Sequence, residues 1–431
     1  MPPFPFSPSF MFDFELTRLL GSASSGGCEI GEFKSAVGAL RKHDPESWHA
    51  AWLAQAERAL SIANEAAAAG YRLPARNAFL RASNYLRASG YMFHNDDARV
   101  LPLAERSVAA FKRAAGLMDG EVVFVEIPFE NEGGMVTLTG WLCLPAEEAR
   151  LPGGKTPVVL YAGGADATKE ELWFLYGHTG PLLGYAVLCL EGPGQGMLLK
   201  RDKIPLRPDF EVVAGCVLDH LEGLAKEKPE WGLDMERVAV AGAATGGYFA
   251  LRTATDKRIK ACVAVDPFFS MWELAMSRAP ERFMRLWDNG WIPDSGLDTL
   301  VDAHCRSNFQ AGWEMGLGKS SMGCDRPSAM LRRFKDFSLD DKKGGQILDR
   351  VACPVFLTGP GAETVMYSSA DESTMKIERL LVNVPADKKD VWVPKLLEEG
   401  GMTAKIGAWA LLAQKTFIFL DKYFGVKRES L

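Results

Sequence analysis

The sequence lacks the signals of several common protein classes. No run approaches the roughly 18 to 20 apolar residues of a transmembrane helix, and no block of lysine and arginine indicates nucleic-acid binding. The eight cysteines include no C-x-x-C pair, so neither a metal site nor a thioredoxin-like redox motif is expected. The stretch MPPFPFSPSFMFDF has neither the basic start nor the uninterrupted apolar run of a signal peptide. We therefore expect a cytoplasmic protein with free thiols and without metal, cofactor, membrane or nucleic-acid partner.

Apolar residues, by contrast, are plentiful. They make up 47% of the 431 residues, and the net charge is only −6, which predicts a globular protein with a sizeable core. Helical spacing of Leu101, Ala104, Val108 and Phe111 is typical of the N-terminal part. We predict a helical domain over residues 1–118.

The apolar period changes after this region. Alternation on either side of Asn131–Gly134 predicts a β-hairpin. Helix-length segments then separate short apolar strands, which indicates a mostly parallel sheet of the α/β class; the predicted strands are 158–161, 186–190, 238–241, 262–265 and 355–358. We assign 119–267 and 348–431 to this core, and 268–347 to an inserted helical lid.

The most informative motif is Gly-Ala-Ala-Thr-Gly at Gly242–Gly246. It follows an apolar strand and precedes a helix, which is the context of the G-x-S-x-G nucleophile elbow. Ala244 occupies the position of the nucleophilic serine, and a methyl group cannot attack a carbonyl. A second glycine-rich stretch, Gly192–Gly196, lacks the spacing and the acidic partner of a dinucleotide fingerprint and is interpreted as a turn at the mouth of a pocket.

With these motifs the chain resembles α/β-hydrolases that carry a helical N-terminal domain, such as the fungal polyketide-shortening hydrolases and the bacterial pseudooxynicotine C–C hydrolases. The resemblance is greatest to the fungal branch encoded beside polyketide synthases. It covers nearly the whole chain and rests on the elbow and three other stretches: GGADATKEELWF (163–174), LEGPGQG (190–196) and GGMTAKIGAWALLAQKTFIFLD (400–421).

The resemblance implies an oxyanion hole made by the backbone amides of Ala165 and Thr245. It also implies a triad acid after strand 355–358, where Glu363 is the only carboxylate of the loop, and a histidine near Met402. The chain has six histidines and none after His304. The triad is therefore lost by this criterion.

Three side chains remain as candidates for acid or base chemistry. His178 and His304 are the histidines that could reach a pocket, and the other four are interpreted as structural or exposed. Asp266 ends strand 262–265, at the edge where open α/β sheets bind ligands. A buried carboxylate there could act as acid or base, while a cap before Pro267 is the alternative.

The lid is rich in aromatic residues, which suits a bulky apolar substrate. The residues expected to bind it are Asp166, Phe269, Trp272, Trp313 and Met402.

Three functions stay open on this evidence. The first is a tailoring enzyme of polyketide-type metabolism that catalyses cyclisation, condensation or another non-hydrolytic step on a carbonyl compound. The second is a non-catalytic scaffold, and the third is an engineered Ser-to-Ala form of a C–C or ester hydrolase. A homodimer is possible under each.

Overall fold

The computed structural model describes residues 6–7, 9–340, 346–361 and 370–429. The N-terminal part is helical, as predicted. Its helices are α1 (Phe10–Gly21), α2 (Ile30–Gly38), α3 (Pro45–Ala68), α4 (Arg72–Gly90) and α5 (Val100–Ala115). Asp44 caps α3 by accepting hydrogen bonds from the amides of Glu46 and Ser47, and Pro45 stands at its first position.

The sheet follows and has eight described strands in the order β1-β2-β4-β3-β5-β6-β7-β8. The first two pairings, β1 with β2 and β2 with β4, are antiparallel, and all the others are parallel. The bounds are β1 (Val122–Asn131), β2 (Gly134–Cys143), β3 (Thr156–Ala162), β4 (Ala186–Glu191), β5 (Leu233–Ala243), β6 (Ile259–Val265), β7 (Val355–Thr358) and β8 (Lys389–Trp392). The predicted hairpin and mostly parallel α/β sheet are confirmed.

Helices connect the strands on both faces of the sheet. Between β3 and β5 the chain forms α6 (Lys169–Leu172), a π-helical turn (Trp173–Gly177), α7 (His178–Leu182), α8 (Gly196–Lys200) and α9 (Phe210–Glu227); α10 (Thr245–Thr253) follows β5. Between β6 and β7 lies the predicted helical insertion, with α11 (Met271–Met276), α12 (Glu281–Asp288), α13 (Asp294–Ser307), α14 (Phe309–Met322) and α15 (Pro327–Arg333). The chain ends with α16 (Ala370–Leu380) and α17 (Trp409–Phe424).

Alternate residues of the central strands pack into two hydrophobic cores, one on each face of the sheet. Val158 and Leu160 of β3 pack on the side of α9, α10 and the insertion. Val159 and Tyr161 of the same strand pack on the side of α4, α5 and α17. This arrangement leaves the carboxyl ends of β3, β5 and β6 side by side, with the N-terminal helices and the insertion close to them. The domain boundaries given above stay predictions.

Two elements differ from the sequence-based expectation. The last helix was predicted from Thr403 but begins at Trp409, and residues Thr403–Lys405 form a 3₁₀ turn. Ala404 and Lys405 have φ of 57° and 55°, which no continuing α-helix allows. Strand β8 was not predicted, because this half-exposed edge strand begins with two charged residues. No described helix is long and apolar enough to cross a membrane.

Candidate active site

The elbow between β5 and α10 has the sharp turn that the motif predicts. Ala244 has φ 52° and ψ −113°, a combination that costs a non-glycine residue about 1–3 kcal/mol. The flanking glycines are required by close contacts, because a Cβ on Gly242 would overlap the carbonyl oxygen of Gly246, and a Cβ on Gly246 would overlap that of Ala162. The chain thus holds a nucleophile's backbone geometry at a residue that has only a methyl group.

Two backbone amides next to the elbow remain unused. Thr245 is the first residue of α10, where amides have no partner within the helix. Ala165 lies in the loop after β3, whose Gly164 approaches the carbonyl of Ala243. Neither amide donates a hydrogen bond to a residue that the structure describes. This is compatible with the predicted oxyanion hole, which stays a prediction.

The loop after β3 is held in place by Gln195. Its Nε2 donates to the carbonyl oxygens of Gly163 (2.6 Å) and Gly164 (3.0 Å), and its Oε1 accepts from the amide of Gly192 (2.8 Å). The side chain is buried. Sequence reasoning placed this segment at the pocket mouth but assigned no role to Gln195. A lone amide side chain among glycines and proline was the available signal, since such a side chain commonly bonds to backbone.

Asp266 is fully paired, which changes its expected role. Its Oδ1 accepts from Lys405 Nζ (2.8 Å) and Thr358 Oγ1 (2.6 Å), and its Oδ2 accepts from the amide of Ala404 (2.8 Å). Lys405 Nζ also donates to the carbonyl of Gly359 (2.7 Å). Both charged side chains have no exposed surface. Burial lowers the pKa of Lys405, and the charge of Asp266 opposes this.

An acid or base that acts on a substrate was expected to present a free carboxylate. Asp266 does not, because both of its carboxylate oxygens are hydrogen-bonded to protein groups. It instead ties the ends of β6 and β7 to the loop before α17, where the family histidine was sought. Lys405 was missed by sequence reasoning, because it was assigned to the final helix. Glu363, the other carboxylate considered, lies outside the described residues.

The remaining sequence candidates lie apart from the elbow. His178 is half-buried on α7, which leads into the amino end of β4. Its ring contacts the Trp173 ring edge-on, with 5.1 Å between the ring centres. Burial lowers the pKa of His178, and the charge of Arg76 acts in the same direction. His304 is exposed in the last turn of α13. Neither histidine has a described contact with Ala244, so the structure supplies no support for either as a base.

The predicted substrate-binding residues fall into two groups. Met402 and Phe269 are buried, the latter under Lys376, whose Nζ lies 3.6 Å from the ring centre. Trp272 packs near Trp287 within the insertion. Asp166 and Trp313, in contrast, line one cavity together with Ala165 of the loop after β3.

This cavity lies between the N-terminal helices, the loop after β3, α8 and α14. Its volume is about 60 Å³, enough for a few water molecules. The lining is largely apolar but also contains charged residues, and includes Leu86, Val100, Leu103, Met197, Trp313, Leu317, Arg87, Asp166, Glu170, Glu191 and Lys200. Tyr91, His94 and Lys200 are lining residues that sequence reasoning did not select.

Asp166 is an ionised, anchored residue in the cavity wall. Its Oδ2 accepts from Arg18 Nη1 (2.6 Å) and Tyr91 Oη (2.8 Å). Burial acts to raise the pKa of Asp166, but the Arg18 charge and the hydrogen bonds outweigh it and lower the pKa to about 2. Arg18 also binds Glu171, so α1 is connected to the loop that carries Ala165.

In the described part of the chain, no cluster of histidine, cysteine or acidic residues could hold a metal ion.

Comparison with known proteins identifies the family. The sequence pattern of the FrsA-like esterases matches residues 44–281, more than half of the chain. The chain belongs to the FrsA-like esterase family. The resemblance to helical-domain α/β-hydrolases is thereby confirmed, and the protein is an enzyme of the α/β-hydrolase type.

Relatives of this FrsA-like protein come from fungi. It is 75% identical over 431 residues to the alpha/beta hydrolase gkaG of Penicillium citrinum, covering all of both chains. It is 66% identical to the alpha/beta hydrolase xenA of Xenoacremonium sinensis, covering 99% of this chain and 100% of the relative. It is 42% identical to the hydrolyase poxO of Penicillium oxalicum, covering 98% and 99%.

A solved structure shares the fold over nearly its whole length. The crystal structure of the 2,6-dihydroxy-pseudo-oxynicotine hydrolase has a TM-score of 0.68 to this chain, with 18% identity, and covers 95% of this chain and 97% of its own. At that identity the likeness shows the fold of the FrsA-like protein and nothing about its reaction.

Proposed function

We propose that this FrsA-like protein is a tailoring enzyme of fungal polyketide-type secondary metabolism. It catalyses a non-hydrolytic step, a cyclisation or condensation, on a reactive carbonyl intermediate. The observation that carries the proposal is the elbow, where Ala244 keeps the strained nucleophile conformation without a nucleophile, beside amides of Ala165 and Thr245 that donate to no described residue.

Such a site can still act on a carbonyl group. Loss of one oxyanion-hole donor typically costs about 2.7–4 kcal/mol of transition-state stabilisation, and orientation of the reacting groups contributes several kcal/mol more. Neither effect needs a serine. An acyl-enzyme, in contrast, cannot form on Ala244, so transfer of an acyl group to water through that residue is excluded.

The mostly apolar lining of the cavity favours a small apolar part of the substrate there, and the fungal hydrolases and hydrolyases among the relatives support a role in fungal metabolism. A polyketide-derived substrate and a cytoplasmic location are part of the proposal.

The test is product analysis of the producing host with and without this gene. The compound that accumulates on deletion is isolated and incubated with the purified protein. The expected product has the mass of the substrate, or that mass less one water, as cyclisation or condensation requires. Two fragments whose masses together equal the substrate plus one water, or a ring-opened product heavier by one water, would identify a hydrolase. No conversion by folded protein would identify a binding role, and either result contradicts the proposal.

A further inference from the structure

The cavity beside the loop after β3 is lined by a lysine, Lys200, that has no ion-pair partner among the described residues. Lys200 ends α8, is half-buried and lines the cavity. The charged residues that act on its ammonium are Glu191, Asp166, Arg87 and Glu170, all of which line the same cavity. Lys200 makes no hydrogen bond or ion pair with any residue in the described part of the chain.

The neighbouring carboxylates are already occupied by other groups. Asp166 binds Arg18 and Tyr91. Glu191 binds Lys169 Nζ (2.9 Å) as well as the backbone amides of Lys169 and Met197.

Glu170 completes this set. It accepts from Trp141 Nε1 (2.9 Å) and lies 3.1 Å from Lys169 Nζ. The three carboxylates thus have fixed partners other than Lys200: Asp166 binds Arg18, and Glu170 and Glu191 share Lys169.

The surroundings favour the neutral amine. Burial lowers the pKa of Lys200, and the charge of Arg87 acts in the same direction, while Glu191, Asp166 and Glu170 oppose the shift. A neutral lysine amine in an apolar pocket is a nucleophile toward carbonyl carbon. Val100, Leu103 and Met197 supply such apolar walls.

We propose that Lys200 is a catalytic residue that forms an imine with the carbonyl substrate. The inference rests on the proposed function, since it takes the substrate to be an aldehyde or ketone. The Nζ lone pair forms a bond to the carbonyl carbon, the C=O π electrons move to oxygen, and a proton passes from nitrogen to that oxygen. Loss of one water then gives the imine.

The imine, once protonated, draws electrons from the neighbouring carbon, so that carbon loses a proton more readily and can form the new carbon–carbon bond. Addition of one water to the imine carbon later releases the carbonyl compound and the free amine. No oxidant or reductant is consumed. Lys200 and Ala165, whose amide belongs to the predicted oxyanion hole, both line this one cavity.

The experiment traps the imine in the full-length protein. Wild type is incubated at neutral pH with hexanal and sodium cyanoborohydride, which reduces an imine to a stable hexyl amine, and the modified lysines are located by peptide mass spectrometry. A lower pKa increases the neutral fraction of a lysine, and burial lowers the pKa of Lys200, so Lys200 should be modified faster than Lys203. Lys203 is the matched control because it lies three residues away and is exposed.

Two variants connect trapping to turnover. Lys200→Arg keeps a long basic side chain but cannot form an imine, so product formation from the accumulating pathway compound should fall to the background rate, whereas Lys203→Arg should retain wild-type activity. Lys200→Met, with its thermal unfolding temperature measured, separates loss of chemistry from loss of folding.

The outcomes are distinguishable. Modification of Lys200 no faster than that of Lys203, or an active Lys200→Arg, overturns the assignment of Lys200 and leaves the proposed function standing. Selective modification of Lys200 in a protein that does not convert the pathway compound contradicts the proposed function and supports a carbonyl-binding amine.

Discussion

At residue scale, Ala244 is the simplest position to test. A serine there would occupy the nucleophile backbone conformation, but its hydroxyl needs a base within hydrogen-bond distance to react. Lys405, the basic residue nearest the expected histidine position, is committed to Asp266 and Gly359. We therefore expect Ala244→Ser to hydrolyse p-nitrophenyl butyrate far below the roughly 10 per second that is the median for enzymes.

The wild-type protein is the control for this measurement, and a fluorophosphonate probe should leave it unlabelled. Turnover of Ala244→Ser at ordinary enzymatic rates would show that a base reaches the elbow, and His178 or His304 would regain its place as a candidate.

A second residue-scale prediction concerns the buried pair of Asp266 and Lys405. Both side chains are fully buried, and removing one partner of such a pair leaves an uncompensated charge that costs about 3–5 kcal/mol. Lys405→Met should thus lower the free energy of unfolding by about this amount in urea denaturation. Asp266→Asn/Lys405→Met removes both charges and should recover much of the loss. A double variant as unstable as Lys405→Met would mean that packing, and not charge, governs this position.

The sequence identified some of these residues and could not identify others. Ala165 and Asp166 follow a clear apolar strand, so their place at the sheet edge could be predicted. Lys405 could not, because its role depends on a left-handed backbone and on the convergence of β6, β7 and the loop before α17. Lys200 is similar: one lysine in a short helix has no pattern, and only the fold shows that the nearby carboxylates are paired elsewhere.

At the scale of elements, α14 joins the insertion to the N-terminal helices. Trp313 Nε1 donates to the carbonyl of Tyr91 (2.8 Å) and Asn95 Nδ2 donates to Ser320 Oγ (2.9 Å). His94 packs directly on Gly316, where a Cβ would overlap its ring. This contact brings Trp313 against the cavity, so the position of α14 determines one wall of the site.

Gly316→Ala should therefore displace His94 or α14. A glycine-to-alanine change inside a helix ordinarily stabilises by about 0.5–1 kcal/mol, and Gly223→Ala in α9, where no atom lies near the new Cβ, should show that gain. We expect Gly316→Ala to lose it and to reduce turnover of the pathway compound. Wild-type turnover together with the same gain as Gly223→Ala would show that the contact is not required.

Among the elements, strands and long helices were predictable and the connections between them were not. The buried parallel strands appear as continuous apolar runs, so β7 was located to the residue. Strand β8 and the start of α17 depend on tertiary contacts. Strand β8 is a polar edge strand, and α17 begins later in the sequence than predicted because the turn before it binds Asp266.

At the scale of the whole molecule, the helical layer and the sheet are linked through buried charges. Arg18 of α1 binds Asp166 in the loop after β3 and Glu171 in α6, and Arg87 of α4 lies 3.7 Å from the carboxylate of Glu171. The N-terminal helices thereby do more than cover the sheet, since they fix the loop that carries Ala165. The resemblance to a known family predicted a helical domain, but only the fold shows this link.

Arg18→Met should test that link. The substitution leaves the buried carboxylates of Glu15 and Glu171 without the Arg18 cation, so the free energy of unfolding should fall by about 3–5 kcal/mol. Turnover should also fall, because the loop after β3 loses its anchor. Arg285→Met is the control: Arg285 forms an exposed pair with Glu281, and its loss should change stability by less than about 1 kcal/mol.

The effect of Arg18→Met should also depend on pH, with a sign that follows from Asp166. The folded pKa of Asp166, about 2, lies below its ordinary value of 3.8, so the folded protein binds fewer protons here than the unfolded chain between these values. The stabilisation is fully present above about pH 4 and is lost as the pH falls from 3.8 toward 2. Urea unfolding of wild type and Arg18→Met at pH 6, 4 and 3 should thus give a stability difference that shrinks in acid, and a difference that stays constant or grows would show that Arg18 stabilises the fold by packing and not through its charge.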